Sequence, residues 1–547
     1  MTDVDPSDVV SASSPAHSAG NWPKADDAGP DAEPGLLRSS APITAWNLVS
    51  RLTGFVRVLA VGAALGTTFL GNTYQSANLA SNILFELLAA GVLSSVLVPA
   101  FVAHIRTAGR DDADRLAGNV LGMLLAILGP IVVAGMLAGP WIMRGLTITV
   151  DDAAVRHAEV DLGAFFLWFF LPQVLLYAVG TVATALNHAE NRFVAPASAP
   201  VANNIVVTAA MAGYWVVRNG APSLHLPLSQ KLLLALGTTV GVAAMTAVPV
   251  VALWRRGLSL RPRWAPRDPE LRSMGRQGAW AAGYLGLTQV LLSVTLVLAN
   301  RVEGGAVAYQ IAFTFFLLPY ALVGNPIMTA LFPRLAADAH AGERIRYADR
   351  LSEGLRLLAF FVLPASAILV ATARPVLDVL AFGALARGGP LVARTLAAYA
   401  VGLIGYAAFQ LLTRAFYADG DTRTPTLVNL VVVGLGSVLM VAWWAAADGG
   451  DKVVVLGLTH SLVQLAAAGA LLLLLARRLP ERLHLTRPLV RTAAASAAAG
   501  GAAWAATHAI SGHTRSHALA SLVLAAVCGA MVYAAAQWGA WPTRQTA

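Results

Sequence analysis

Charge is what this sequence has least of. Only 12% of its 547 residues are Asp, Glu, Lys or Arg, against about 25% in an average soluble protein. A chain of this length folded in water needs a charged skin that these residues do not supply. Cysteine is limited to Cys528, inside the apolar run 522–530, so no internal disulfide can form and no second thiol is at hand for a metal. Cys528 reads as a packing residue. Lysine occurs only at Lys24, Lys231 and Lys452. Also missing are H-E-x-x-H, a P-loop, a nucleophile elbow and any Cys/His metal-ligand spacing. Walker-type ATP hydrolysis is excluded, and neither enzyme chemistry, a metal nor a cofactor is expected. What the chain does have is 57% hydrophobic residues and a mean hydropathy of +0.64. That combination points to a polytopic membrane protein.

A helix crosses the roughly 30 Å hydrocarbon core with about 20 residues. Apolar stretches of that size fall at 44–66, 73–104, 117–142, 162–186, 196–217, 232–254, 277–300, 304–331, 357–373, 395–416, 425–446, 453–476, 492–510 and 517–541. This makes an all-α polytopic protein with about 14 transmembrane helices. The short apolar segment 374–386 extends the ninth span or lies at the interface. With the N-terminus inside, the inside loops and C-terminus hold 24 bases and the outside loops 10. Positively charged loops stay in the cytoplasm, so the asymmetry supports an even count with both termini cytoplasmic. It also accounts for the net charge of +9 without a nucleic-acid partner. Residues 1–40 carry seven acids, two bases and much Ser, Ala, Gly and Pro. They are expected to be a disordered cytoplasmic tail.

The spans repeat. Tyr74-Gln75-Ser76-Ala77 leads to Val98-Pro99, and Tyr309-Gln310-Ile311-Ala312 leads to Phe332-Pro333; the Tyr-to-Pro separations are 25 and 24 residues. Asn191-Arg192 before Pro196 has a counterpart in Thr422-Arg423 before Pro425. An offset of six spans keeps both copies in one orientation and implies two parallel six-helix bundles with substrate between them. The expected organisation is a 41–254 bundle, a basic 255–276 linker with seven bases against two acids, a 277–476 bundle and a 477–547 helix pair.

Ionisable and amide side chains at membrane depth are costly and tend to face a cavity. The first span holds Arg51 and Arg57. The second holds Gln75, Asn78, Asn82 and Glu86, spaced 3, 4 and 4 apart and so on one helical face. The second half is mostly neutral, with Gln289, Asn300, Gln310, Thr314, Asn325, Gln410, Asn429 and Gln464; His460 is its notable titratable group and reads as packing. Guanidinium binds phosphate in a fork, so an Arg-lined cavity suits an anionic, phosphate-bearing substrate. The competing reading is a structural ion pair between Glu86 and Arg51 or Arg57.

The stretch Ser50-Arg51-Leu52-Thr53-Gly54-Phe55-Val56-Arg57, the Val98-Pro99 helix end and Ala418-Asp419-Gly420-Asp421-Thr422-Arg423-Thr424-Pro425 resemble the MurJ (MviN) family of the MOP superfamily. The likeness covers about residues 44–541. It implies a MOP/MATE-like fold and flipping of lipid II, an undecaprenyl-pyrophosphate-linked peptidoglycan precursor, across a bacterial plasma membrane by alternating access. It implies an Arg-lined central cavity in which Arg51 and Arg57 meet the pyrophosphate; the spacing of Gln75, Asn78, Asn82 and Glu86 places them around it, and Gln310 and Thr314 are the candidate cavity residues of the second half. It also implies a last helix pair forming a groove for the lipid tail, and membrane lipids and cell-wall synthesis proteins as partners. The sequence departs from the family pattern at Val58, Asn72, Ser81-Asn82, Phe85-Glu86 and Thr314, so only part of the basic cavity is carried over. A MATE-like exporter of small cationic compounds, a polysaccharide-lipid flippase paralogue and a scaffold for wall assembly are the alternatives.

Overall fold

The computed structural model describes residues 33–86, 97–269, 271–272, 274, 289–479, 483, 485–510 and 514–538. It is all-helical, with no strand among the described residues. The first half comprises α1 (Glu33–Leu65), α2 (Phe69–Phe85), α3 (Val98–Thr107), α4 (Arg110–Leu137), α5 (Gly139–Leu146), α6 (Ala153–Phe170), α7 (Gln173–Ala189), α8 (Val194–Val217) and α9 (Leu228–Trp254). The second comprises α10 (Gln289–Ala299), α11 (Gly305–Pro319), α12 (Asn325–His340), α13 (Arg344–Leu380), α14 (Gly389–Ala400), α15 (Leu403–Ala418), α16 (Arg423–Ala446) and α17 (Asp451–Ala476). A hairpin of α18 (Thr486–Ala509) and α19 (Arg515–Gln537) follows.

Among the described residues, ten helical runs are long and apolar enough to cross a membrane, or eleven when α14 and α15, bent by 45°, count as one broken span. The second and seventh expected spans run partly through residues outside the described ones. The thirteenth coincides with α18, an Ala- and Gly-rich helix that is not among the ten. The segment 374–386 continues α13 to Leu380 and then forms a short 3₁₀ turn, Gly383–Gly388. The eighth span is interrupted by a π-helical turn, Tyr320–Gly324, directly after Pro319, where the proline ring cannot continue regular helix. Of the expected tail, residues 1–32 lie outside the described ones, and α1 already begins at Glu33. All of 275–288, including the end of the linker, also lies outside them.

Helix starts follow side-chain chemistry. Thr68 accepts from the Gly71 amide at α2, and Asp152 accepts from Ala154 and Val155 at α6, satisfying donors that the first turn leaves free. Inside lipid, packing and hydrogen bonds rather than water exclusion join helices. The α18–α19 hairpin accordingly meets through Ala503, Ala506 and Ala525, and Tyr533 donates to the Phe360 carbonyl of α13 at 2.5 Å. One buried cluster fills the second half around Phe316, Tyr399 and Phe416 and takes in Leu59 of α1. Two others fill the first half, around Phe166 and Phe170 and around Phe101 and Leu186.

The face at which α1 starts is called the near face here, and the opposite one the far face. Polar contacts between the halves gather at the far face. Asn72 donates to the Val302 carbonyl at 2.8 Å and accepts from the Ala306 amide at 3.0 Å. Ser76 and Asn300 pair at 2.9–3.1 Å, and Asn300 also donates to the Leu146 carbonyl. Thr149 donates to the Val297 carbonyl at 2.6 Å, and Arg301 pairs with Asp151. The molecule is thus latched shut on the far side.

Candidate functional site

Behind that latch lies a cavity of about 510 Å³ between the halves. The face of α2 marked by the 3-4-4 spacing turns into it: Gln75, Asn78, Asn82 and Glu86 all line it, beside Arg57 of α1. Gln289 of α10 and Gln310 of α11 face them from the second half. Asn203 of α8, Thr238 of α9 and Tyr177 of α7 complete the polar wall, the Tyr177 hydroxyl donating to Asn82 at 3.3 Å. Val58, Val61, Val207 and Val242 supply apolar surface between them.

Arg57 carries the only positive charge in this lining among the described residues. It makes no hydrogen bond or ion pair with another side chain among the described residues, though its charge reaches the hydroxyls of Tyr74 and Tyr177. Glu86 shares the cavity but pairs with neither Arg51 nor Arg57. Arg51 stands outside the lining, exposed on α1, where its charge and that of Arg414 reach Tyr320. Thr314 is also outside the lining, its hydroxyl donating to the Gln310 carbonyl one turn back at 2.8 Å. His460 sits in an aromatic box of Phe313, Phe316 and Tyr399, with ring centroids 5.2–5.9 Å away, as a packing residue would.

Two features escaped the sequence reading. Asn203 and Thr238 join the wall because α8 packs against α1 and α9, and Thr238 of α9 meets Tyr74 of α2, a tertiary fact with no local signature. Glu159 lies before the expected span, which apolar weight centres on 162–186. The helix instead starts at Ala153, and the N-cap residue Asp152 was the available signal. Glu159 is fully buried.

A guanidinium without a protein partner, ringed by amides that donate and accept, can take an anionic oxygen cluster with polar groups on either side. A second cavity of about 480 Å³ lies at the far end of the α18–α19 hairpin, but its arginines Arg374 and Arg394 are already engaged by Asp378 and Asp451. Among the described residues no group of three His, Cys, Asp or Glu is placed to hold a metal ion.

Two halves latched on one face over a polar cavity are the build of a multi-pass membrane transporter. Its fold is similar to that of an inward-facing MATE family multidrug resistance transporter of the MOP superfamily, which superposes with a TM-score of 0.62 at 14% identity, covering 79% of this chain and 94% of that one. The chain belongs to the lipid II flippase MurJ family, whose model matches residues 61–527. A solved lipid II flippase MurJ in an inward closed conformation is similar over 91% of this chain and 99% of its own, with a TM-score of 0.71 and 15% identity. A probable lipid II flippase MurJ of Rhizobium tropici is 27% identical over 412 residues, 74% of this chain and 75% of that protein. The lipid II flippase MurJ of Burkholderia cenocepacia is 26% identical over 73% of this chain and 76% of its own.

Proposed function

We propose that this chain translocates lipid II, or a closely related undecaprenyl-pyrophosphate-linked precursor, from the inner to the outer leaflet of a bacterial plasma membrane. The near face is cytoplasmic in this reading, as the excess of bases in its loops favours. The far-face latch then marks an inward-directed state, and the two helical halves, 41–254 and 277–476, rock about the cavity to release the headgroup outside. The α18–α19 hairpin stays with the second half, as its contacts with α13 favour, and guides the lipid tail.

One observation carries the reading: Arg57 offers an uncommitted guanidinium at membrane depth inside the cavity. Such a group is expensive to keep there, and a pyrophosphate is the partner that its fork geometry best accepts. Arg57 is the anchor, and Gln75, Asn78, Asn82, Gln289 and Gln310 contact the sugar and peptide groups. Glu86 repels the anion's charge and favours its release. Arg51 acts earlier, nearer the cytoplasmic mouth. The test is complementation of cells depleted of their own lipid II flippase. Growth with this chain, and failure with Arg57→Ala inserted at equal level, is expected. Failure of the unaltered chain, with normal insertion, overturns the substrate assignment.

A further inference from the structure

Glu159 has no part in the cavity, yet it is a carboxyl buried completely inside a membrane span. Its Oε2 atom has no partner, and its Oε1 atom lies 3.2 Å from the Thr73 hydroxyl. That hydroxyl also lies 2.8 Å from the Phe69 carbonyl, one turn back on α2. A threonine hydroxyl owns one proton. When it serves the carbonyl, which is the shorter contact, the contact with Glu159 is completed only by a proton on the carboxyl.

Among the described residues no other charge compensates the site. On α6 itself, Arg156 is exposed, and His157 and Asp161 pair with each other in the open. Of the helices packed against α6, α5 contributes Arg144, which is exposed, and α9 contributes Lys231, which lies over the Phe165 ring. The charged residues of α4, Arg110 to Arg115, and His188 of α7 lie at the near end. Tyr74 of α2 is engaged by Thr238 at 2.7 Å. None makes an ion pair with Glu159 among the described residues. One hydroxyl and one carboxyl are too few oxygen donors for a metal cation.

The position gives this proton a role. Thr73 stands between Asn72 and Ser76, the two α2 residues that latch the second half through Val302, Ala306 and Asn300. This stretch of α2 thus touches both the second half and Glu159. We propose that Glu159 is the proton-binding site of the transport cycle. Each opening of the far face breaks the carboxyl O–H bond and hands the proton to far-side water. Each closure takes one proton back from that side, because the far face seals only over a neutral carboxyl. Acid on the far side therefore favours the inward state; because release and uptake occur on the same side, the proton biases the conformation and supplies no net driving force. The inference rests on the alternating-access reading but not on the identity of the lipid.

The experiment uses the full chain in lipid nanodiscs with Cys528→Ser and spin labels at Ser223→Cys and Asp448→Cys, exposed far-face positions in opposite halves. Distances are measured without any lipid-linked substrate, between about pH 5 and pH 9. The far-face separation is expected to widen as pH rises and to ignore sodium at fixed pH. Glu159→Gln, the isostere of the protonated acid, is expected to hold the short distance at every pH. Thr73→Val is expected to move the midpoint of the opening, so the inference stays testable should the Gln variant fail to fold. A Gln variant that keeps the full pH response overturns the proposal. So does a parent that does not respond to pH, or one that responds to sodium instead. Complementation by the unaltered chain is scored separately, so a wrong substrate and a wrong proton site give different results.

Discussion

Arg110 Nε lies 2.9 Å from Glu190 Oε1, tying the start of α4 to the loop that follows α7. Arg344 at the start of α13 meets Asp419 after α15 in the corresponding place. The loops match in backbone too. Asn191 and Gly420 both adopt positive φ, 60° and 77°, and the next amide bonds back to the last turn, Arg192 to the Asn187 carbonyl and Asp421 to the Phe416 carbonyl. This is how a helix closes through a left-handed residue. The internal repeat is therefore cast in ion pairs and helix caps as well as in span order. Glu190 is nearly fully buried while Arg110 is half exposed. Glu190→Ala is expected to cost about 1–3 kcal/mol. In thermal unfolding of the detergent-solubilised chain, Arg110→Ala and Glu190→Ala should show a coupling of at least about 0.5 kcal/mol. Strictly additive effects would show that the pair is incidental.

Asp421 predicts a pH dependence at the same face of the second half. Burial raises its carboxyl, but the Thr424 hydroxyl and amide and the Arg478 guanidinium outweigh that and hold it at about 2, against an ordinary value of 3.8. The folded state thus binds this proton less readily than the unfolded chain. Its contribution is complete above the unfolded value and disappears as pH falls through 3.8 towards 2. Because the Asp421–Arg478 pair is partly exposed, the contribution is about 1–2 kcal/mol rather than the full value of the shift. Asp421→Asn should lower stability at neutral pH and flatten the melting profile below about pH 4. An unchanged acid limb in the Asn variant would assign the dependence to another carboxyl.

The two first-helix arginines should behave differently. Arg57 lines the cavity without a protein partner, and Arg51 does not line it. Arg57→Ala is expected to slow lipid II translocation in proteoliposomes by roughly 10- to 100-fold, the weight of lost charge-assisted hydrogen bonds. Arg57→Lys should recover part of this, since an ammonium supplies charge without the fork. Arg51→Ala should fall well short of the Arg57→Ala loss. Equal losses at both positions would show that the cavity reshapes around Arg51 during the cycle.

Periodicity exposed the cavity face because one helix carries it. Gln75, Asn78, Asn82 and Glu86 declare a polar stripe that lipid cannot tolerate, and Arg57 stands out for the same reason. Residues contributed by several helices left no such trace. Asn203, Thr238 and Gln289 reach the cavity only through the packing of α8, α9 and α10, and Thr314 and Arg51 miss it through helix rotation that spacing does not set. Glu159 was hidden by the search for apolar weight, because the helix begins nine residues before the apolar stretch that announced it. The repeat was visible in the paired loops, but its alignment was offset: structure matches Asn191 with Gly420, whereas the Asn-Arg and Thr-Arg dipeptides suggested Thr422.

The start of the basic linker is strapped to α4, and one glycine makes that possible. Arg263 donates its amide to the Gly118 carbonyl at 2.9 Å, and Asp114 accepts from the Leu260 amide at 3.1 Å and the Ser259 hydroxyl at 3.3 Å. Leu258 and Leu260 are buried against the first-half core. A Cβ at Gly122 would come within 2.0 Å of the Arg263 carbonyl oxygen and 2.6 Å of its carbon. Backbone on both sides leaves no flexible group to yield, so Gly122→Ala must lift the strap. Limited trypsin digestion should then cut after Arg263 about tenfold faster, corresponding to ~1.4 kcal/mol of lost local stability. Gly129→Ala on the same helix has nothing within 4 Å of its new methyl. It should leave the cleavage rate unchanged while improving helix propensity. Equal rates in both variants would mean that the linker is held by Asp114 and its leucines alone, with the close approach at Gly122 contributing nothing to its hold.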